Sequence, residues 1–391
     1  MSHRFLAGIL ILAAAPVLAA APATAAVPKG PAGTAFYTPP GTLPKGAHGT
    51  PIWQRKLTGP DVLKGAKANT LLLYRSTGLD GKTVAVSGTV AVPKGKAPKG
   101  GWPVVTWAHG TVGIADQCAP SLIGTGGYDH KLLNGWLKAG YAVVRTDYEG
   151  LGTPGPHPYL VGTSEGRSTL DIVRAARKLD ARIGKRVLIA GHSQGGHAAL
   201  FAGSLAKKWT PELTLRGTVA FAPASHIGEQ AALISALNTP SNLSGLAALI
   251  VRGIDIAKPD LNVQGLLSDQ AKALYPQIDE RCSGDLAKPD SFGAIAPSAL
   301  FAPGVSLEPV IAALNANDDP EELKIPGRVL IEQGKDDTTV FPNFTDQLSG
   351  ELKGRGVKVT YKTYAKLDHI AVVTNAKVAK NATAFVKKQL G

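Results

Sequence analysis

The chain has 391 residues, 44% of them hydrophobic, which is ample for one large domain carrying an insertion. Its net charge of +13 comes from scattered lysines rather than from basic clusters interleaved with aromatic residues. Nucleic-acid binding is therefore not expected, and the charge reads as a solvated surface that aids solubility in preference to an attraction for anionic lipid or polymer.

Residues 1–26 carry a short cationic start (His3, Arg4), an apolar core over 5–15 and a small-residue end, Ala23-Thr24-Ala25-Ala26. This is the pattern of a secretory signal peptide cleaved near Ala25 or Ala26. An uncleaved anchor is the alternative, but the apolar core falls short of the ~20 residues a span needs and Pro16 interrupts it. No later stretch is long and apolar enough to span a bilayer, so the expected mature chain is secreted and has no transmembrane segment. An exported chain meets an oxidising environment, and its two cysteines, Cys118 and Cys282, predict one disulfide, with two free buried thiols as the alternative. Closing so long a loop stabilises by up to ~5 kcal/mol in the chain-entropy model.

Residues 27–50 are rich in Pro, Gly and Lys without an apolar period and predict an extended leader. Residues 71–75 and 83–92 read as two antiparallel strands joined by the turn at Asp80-Gly81. Short apolar runs then alternate with helical segments, the signature of a parallel sheet covered on both faces. The predicted strands are 103–108, 142–146, 186–190, 217–222, 328–333 and 358–364; the helices are 131–139, 165–179, 194–208, 342–353 and 376–389. The alternation breaks once. Between Ala224 and about Glu322 there are apolar helical runs at 229–237 and 243–254 but no clear strand. An insertion there would sit over the carboxyl ends of the strands, and it reads as a helical cap or lid. The expected organisation is thus a signal peptide (1–26), a leader (27–50), an α/β core with a mostly parallel doubly wound sheet (51–224 and 323–391) and a cap (225–322).

Gly191-His192-Ser193-Gln194-Gly195 lies where a predicted strand turns into a helix. A sharp turn of this kind strains its central residue and needs small residues two before and two after it, which Gly191 and Gly195 supply. Ser193 then stands above the sheet as a nucleophile, and the Gln194 backbone N–H faces a developing oxyanion at the helix N-terminus. The second oxyanion donor belongs to the loop after the first parallel strand, Trp107-Ala108-His109-Gly110-Thr111-Val112-Gly113, with Thr111 favoured and Gly110 the alternative. His109 is expected to order that loop. The general base must follow the last strand, which selects His369; His226 at the start of the insertion is its rival. His192 and His197 are read as pointing away from the serine. The acid that orients the base is assigned to Asp337, with Asp336 as the alternative, and Asp368 reads as a solvated loop charge. The histidines, carboxylates and cysteines lack metal-ligand spacing and no phosphate or dinucleotide loop is present, so neither a metal nor a cofactor is expected.

Several linked segments resemble a bacterial member of the secretory lipase family within the α/β-hydrolases. They are Asp116-Gln117-Cys118-Ala119-Pro120-Ser121, Asp147-Tyr148-Glu149-Gly150 with Glu165-Gly166 and Leu170-Asp171, the serine elbow, and Asp337 with His369. The resemblance runs from about Gly101 to the C-terminus. It implies the α/β-hydrolase fold, a Ser193-Asp337-His369 triad, a helical cap after the strand that follows the serine, and pairing of Cys118 with a cap cysteine, Cys282. The yeast members of the family carry a C-terminal flap, whereas this sequence ends 22 residues after His369, so a more open site is expected.

These readings together predict a secreted serine hydrolase that cleaves carboxylic esters through an acyl-enzyme, a lipase or esterase. Its partner is a small-molecule or lipid ester, with action at a lipid–water interface open, as are acyl length, alcohol moiety and oligomeric state. Leu246, Leu249 and Ile250 are candidates for an acyl-facing wall, with ordinary packing of the cap as the alternative. The rival functions are a peptidase or polyester depolymerase on the same fold, and a non-catalytic secreted binding protein.

Overall fold

The computed structural model describes residues 26–318 and 323–391. The predicted signal segment, apart from Ala26, lies outside the described residues, as do residues 319–322 at the end of the predicted cap. The strands are β1 (Pro51–Lys56), β2 (Ala68–Thr77), β3 (Thr83–Val92), β4 (Trp102–Ala108), β5 (Ala142–Thr146), β6 (Ile183–His192), β7 (Thr214–Phe221), β8 (Arg328–Gly334) and β9 (Lys358–Tyr364). They form one sheet in the order β1-β2-β3-β5-β4-β6-β7-β8-β9. The pairs from β1 to β5 are antiparallel and those from β5 to β9 are parallel, so the α/β-hydrolase fold class read from the sequence holds.

Period-two alternation divides the core between the two faces of this sheet. Val104 of β4 and Val187 and Ile189 of β6 pack with Ile172 and Ala199 on one side. Val105, Trp107, Leu188 and Ala190 pack on the other side with Trp136 and Val378. The first face is covered by α3 (Gly162–Leu179) and α4 (Gln194–Trp209), and the second by α2 (His130–Lys138) and the C-terminal α12 (Ala376–Leu390). Because both faces are covered, these central strands are apolar almost throughout. Strand order reverses around β4, whose neighbours are β5 and β6, and the crevice at such a reversal is where ligands bind in open α/β sheets.

Two features differ from the sequence reading. Strand β1 was not expected, because Pro51-Ile-Trp-Gln-Arg-Lys has no apolar alternation and buries only Ile52; it is an edge strand that starts on proline, where the missing N–H costs no ladder bond. The leader has little regular structure beyond a 3-10 turn, Gly33–Tyr37, yet it is docked. Phe36 and Tyr37 are buried, Gly30 N donates to Gln54 O at 3.0 Å, and His48 Nδ1 lies 2.5 Å from the buried Asp171 carboxylate of α3.

Between β7 and β8 the chain forms α5 (Ile227–Ser235), α6 (Leu243–Ala257), α7 (Asp269–Leu274), α8 (Ser283–Leu286) and α9 (Glu308–Asp318), joined by 3-10 turns. This segment has its own apolar core around Leu249, Ile278, Phe292 and Leu300. Cys118, which precedes α1 (Pro120–Ile123), is disulfide-bonded to Cys282 at the start of α8. Ser283 N also donates to Val112 O at 2.9 Å, so the loop after β4 and the inserted helices are tied both covalently and by backbone hydrogen bonding. Two further helices, α10 (Pro342–Gly354) and α11 (Ala371–Thr374), flank β9. No helix among the described residues is long and apolar enough to cross a membrane.

Candidate active site

Ser193 sits between the end of β6 and the start of α4 with φ 58° and ψ −122°, in the left-handed half of backbone space. Its surroundings hold it there. Ser193 N donates to Phe221 O at 2.9 Å, and Ser193 O accepts from His197 N at 3.0 Å. A Cβ on Gly191 would lie 1.9 Å from Gly195 O, and one on Gly195 would lie 2.0 Å from Ala108 O, so neither position admits a side chain.

Asp337 and His369 come together. His369 Nδ1 donates to Asp337 Oδ2 at 2.7 Å, which leaves the lone pair of the neutral ring on Nε2. The buried carboxylate also accepts from Thr339 N and Val340 N, both at 2.9 Å, and from Gln333 Nε2 at 3.0 Å. Gln333 is in turn held by Thr345 Oγ1 at 2.9 Å. The alternative acid, Asp336, is exposed, and Asp368 caps α11 by accepting from Ala371 N at 2.7 Å. The rival base His226 pairs with Glu351 at 3.1 Å, stacks on Phe344 and is not among the residues lining the cavity described next.

Ser193, His369, Gln194 and Thr111 share a cavity of about 200 Å³ roofed by Ile227, Ala231 and Ile234 of α5 and Leu246 and Ile250 of α6. Of the three leucine and isoleucine residues expected to face an acyl chain, Leu246 and Ile250 line this cavity. Leu249 does not; it is fully buried in the core of the inserted helices. A helix presents only part of its apolar arc to any one neighbour, and the remainder of the arc packs elsewhere.

The Gln194 N–H is one of the orphan donors at the start of α4. Its side chain is anchored below the elbow. Gln194 Nε2 donates to Glu165 Oε1 at 2.7 Å and to His157 Nε2 at 3.1 Å, and Glu165 Oε1 also accepts from Leu160 N at 3.0 Å. Burial pulls His157 down to about 4, so its ring is neutral and Nε2 can accept, while Nδ1 donates to Glu149 O at 2.8 Å. In the loop after β4, Gly110 N already donates to Tyr128 Oη at 3.4 Å, whereas Thr111 N has no partner among the described residues. Thr111 Oγ1 is paired with Tyr159 Oη at 2.7 Å. His109 bonds Gly110 O at 2.7 Å and packs on Tyr148, whose hydroxyl donates to His109 O at 3.0 Å. The Asp147-Tyr148-Glu149 segment therefore braces this loop, with Asp147 also accepting from Ser87 Oγ at 2.6 Å and Ser121 N at 2.9 Å.

Of the two histidines that flank the serine, His197 is fully buried beside Glu165, 3.5 Å from Oε2, and His192 lies against His369: the two rings are 4.6 Å apart and His192 Nε2 lies 2.9 Å from His369 O. Gln333, Tyr128 and Tyr159 were missed, and Glu165 entered only through the family resemblance, with no role assigned to it. The signal for Gln333 was a polar residue in an otherwise apolar strand. Among the described residues no group of three or more His, Cys, Asp or Glu could hold a metal ion.

A buried acid on β8 should make stability depend on pH. Glu332 on β8 accepts from the Tyr364 hydroxyl, which itself accepts from Asn381 Nδ2 at 2.8 Å, and Glu332 Oε1 has no partner among the described residues. Burial pushes the carboxyl up to about 7. The folded state then holds this proton more tightly than the unfolded chain, so stability is greatest below the ordinary glutamate range, declines as pH rises to about 7 and is flat above it. The expected loss is up to about 3 kcal/mol, read as a falling denaturant midpoint between pH 5 and pH 8. Glu332→Gln should flatten that decline; an unchanged profile would mean that Glu332 is ionised in the fold.

A strained serine at a strand–helix turn, with a histidine–aspartate pair on the same cavity, defines the chain as an α/β-hydrolase with a Ser, His and Asp constellation. The model of the secretory lipase family matches its central part, residues 121–292. The chain is 32% identical over 267 residues to Lipase A of Moesziomyces aphidis, an alignment that covers 63% of this chain and 54% of that protein. It is 26% identical over 272 residues to a Mycobacterium tuberculosis protein named Probable inactive lipase, covering 65% and 59%. The chain thus spans about half the length of the curated relatives it matches. Among solved structures, the rice cell wall degrading esterase LipA from Xanthomonas oryzae superposes with a TM-score of 0.74 at 21% identity, covering 88% of this chain and 100% of that one. At that identity the likeness speaks to the fold alone.

Proposed function

We propose that this protein is a secreted carboxylic-ester hydrolase that works through an acyl-enzyme on Ser193. The observation that carries the reading is the 2.7 Å bond from His369 Nδ1 to Asp337, made on the wall of the cavity that Ser193 also lines. In this mechanism Ser193 Oγ attacks the ester carbonyl, and His369 Nε2 takes its proton and returns it to the departing alcohol. Asp337 keeps the ring in the required tautomer and offsets its charge. The N–H groups of Gln194 and Thr111 bind the oxyanion, a reading supported by the unpartnered Thr111 N–H and by the bond already made by Gly110. Water then repeats the sequence on the acyl-enzyme.

The substrate we infer is a lipid or other acyl ester, whose chain would lie against Ile227, Ile234, Leu246 and Ile250. The segment 225–322 acts in this reading as the cap that excludes water from the site. Secretion is supported by the signal-like N-terminus and by a relative from Malassezia globosa named a secreted triacylglycerol lipase. A second reading, a non-catalytic protein on the same fold, has one observation in its favour, the relative named as an inactive lipase.

A fluorophosphonate probe separates the two, since only an activated serine labels rapidly. Rapid labelling is expected, together with hydrolysis of p-nitrophenyl esters that varies with acyl length by up to ~0.8 kcal/mol per buried methylene. Aminoacyl anilides should be poor substrates. Faster cleavage of anilides than of esters would overturn the esterase reading, and absent labelling would favour the non-catalytic one.

A further inference from the structure

We propose that His192, the residue before the serine, is a positioning residue that locks the base-bearing loop and the oxyanion loop to the nucleophile elbow. The inference rests on the ester-hydrolase reading above. His192 ends β6 on the same side of the sheet as Ala190, two residues earlier, and that side is covered by α2 and α11. Its ring therefore points to where the loops preceding those helices approach. One loop carries Tyr128 and the other His369.

The hydrogen-bond pattern has only one consistent assignment. A carbonyl can only accept, so His192 Nε2, which lies 2.9 Å from His369 O, must carry the proton. In the neutral ring Nδ1 is then an acceptor, and Tyr128 Oη, 3.3 Å away, must donate to it. The Tyr128 oxygen remains free to accept, and Gly110 N donates to it at 3.4 Å. A single chain thus runs from Gly110 beside the oxyanion donor, through Tyr128 and His192, to the backbone of His369. Burial and the neighbouring His369 hold His192 well below the usual histidine range, which keeps it neutral and preserves the pattern.

The geometry gives this chain a consequence that packing alone lacks. Asp337 fixes the His369 ring through Nδ1, but it does not fix the distance of that ring from a serine on a different strand. The bond from His192 does so, because His192 and Ser193 are adjacent on one rigid strand end. A base displaced by about 1 Å loses on the order of 10²-fold in rate.

The test compares His192→Phe, His192→Gln and Tyr128→Phe on a p-nitrophenyl ester. Phe keeps the ring but makes neither bond, and kcat should fall about 10²-fold while KM stays within about threefold. Gln places an amide N–H where Nε2 stood, and its carbonyl can accept from Tyr128, so most of kcat should return. Tyr128→Phe should lower kcat by a smaller factor, and adding it to His192→Phe should cost little more, because both break one chain. If His192→Phe does not fold, failure of Tyr128→Phe to lower kcat overturns the inference. So does a His192→Phe enzyme within twofold of wild type, or a His192→Gln enzyme no better than Phe. A wild-type chain that neither hydrolyses esters nor labels with fluorophosphonate would instead overturn the hydrolase reading, and this inference with it.

Discussion

Ser193→Ala is expected to lower ester turnover by about 10⁶-fold, the size of effect seen when a serine nucleophile is removed from an intact triad. Stability should hardly change. Among the described residues no hydrogen bond of the Ser193 hydroxyl is seen, and the backbone bonds to Phe221 and His197 that hold the strained turn survive the substitution. Alanine inherits the same unfavourable φ of 58°, so strain is neither added nor relieved. Measuring kcat alongside the melting temperature separates loss of chemistry from loss of structure. Retained turnover at an unchanged melting temperature would assign the nucleophile elsewhere.

Asp337→Asn is expected to cost about 10⁴-fold in kcat. The reason lies in the four donors that Asp337 satisfies. Oδ1 faces two backbone N–H groups that cannot turn away, those of Thr339 and Val340, so the new amide nitrogen is forced to the Oδ2 side. There it meets Gln333 Nε2 and His369 Nδ1, both donors in the native arrangement. Gln333 Nε2 also donates to Gly334 O and Val340 O, so its amide is not free to turn, and His369 can oblige only by moving its proton to Nε2, where a base needs a lone pair. Asp336→Asn is the matched control. That side chain is exposed and makes no bond to His369 among the described residues, and the variant should keep its rate within about twofold, as surface substitutions away from a site usually do. Equal losses in the two variants would exclude Asp337 as the orienting acid.

The fold was legible because its signals are local. Strand β5 and strand β9 fall at the residues that alternation and β-branching mark out, and α3, α4 and α12 begin or end within a few residues of where their apolar spacing does. The elbow was equally legible, since five consecutive residues carry both the chemistry and the steric requirement. Asp337 and His369 could be selected by chain order, and the choice between Asp336 and Asp337 turned on register alone. Strand β1 was invisible because an edge strand that buries one side chain need not alternate. The docking of the leader was equally hidden, although Phe36 and Tyr37 were available as a clue.

The functional side chains that the sequence did not disclose share one property: each acts through a partner far away along the chain. His192 meets His369, Gln194 meets Glu165 and His157, Asp337 meets Gln333, and Gly110 meets Tyr128. Pattern and periodicity state which side chains leave solvent and on which face of a strand or helix they do so, and that was enough for architecture and for a choice of candidate reactive groups. They are silent on what a buried polar group finds opposite it, because that partner is set by how the loops cross at the carboxyl edge of the sheet. Burial makes the match obligatory, since an unpaired polar group inside costs more than most single contacts return. Chain order was thus sufficient to propose an alcohol, an imidazole and a carboxylate as candidates, whereas the contacts around them came into being only when separate loops closed on one another.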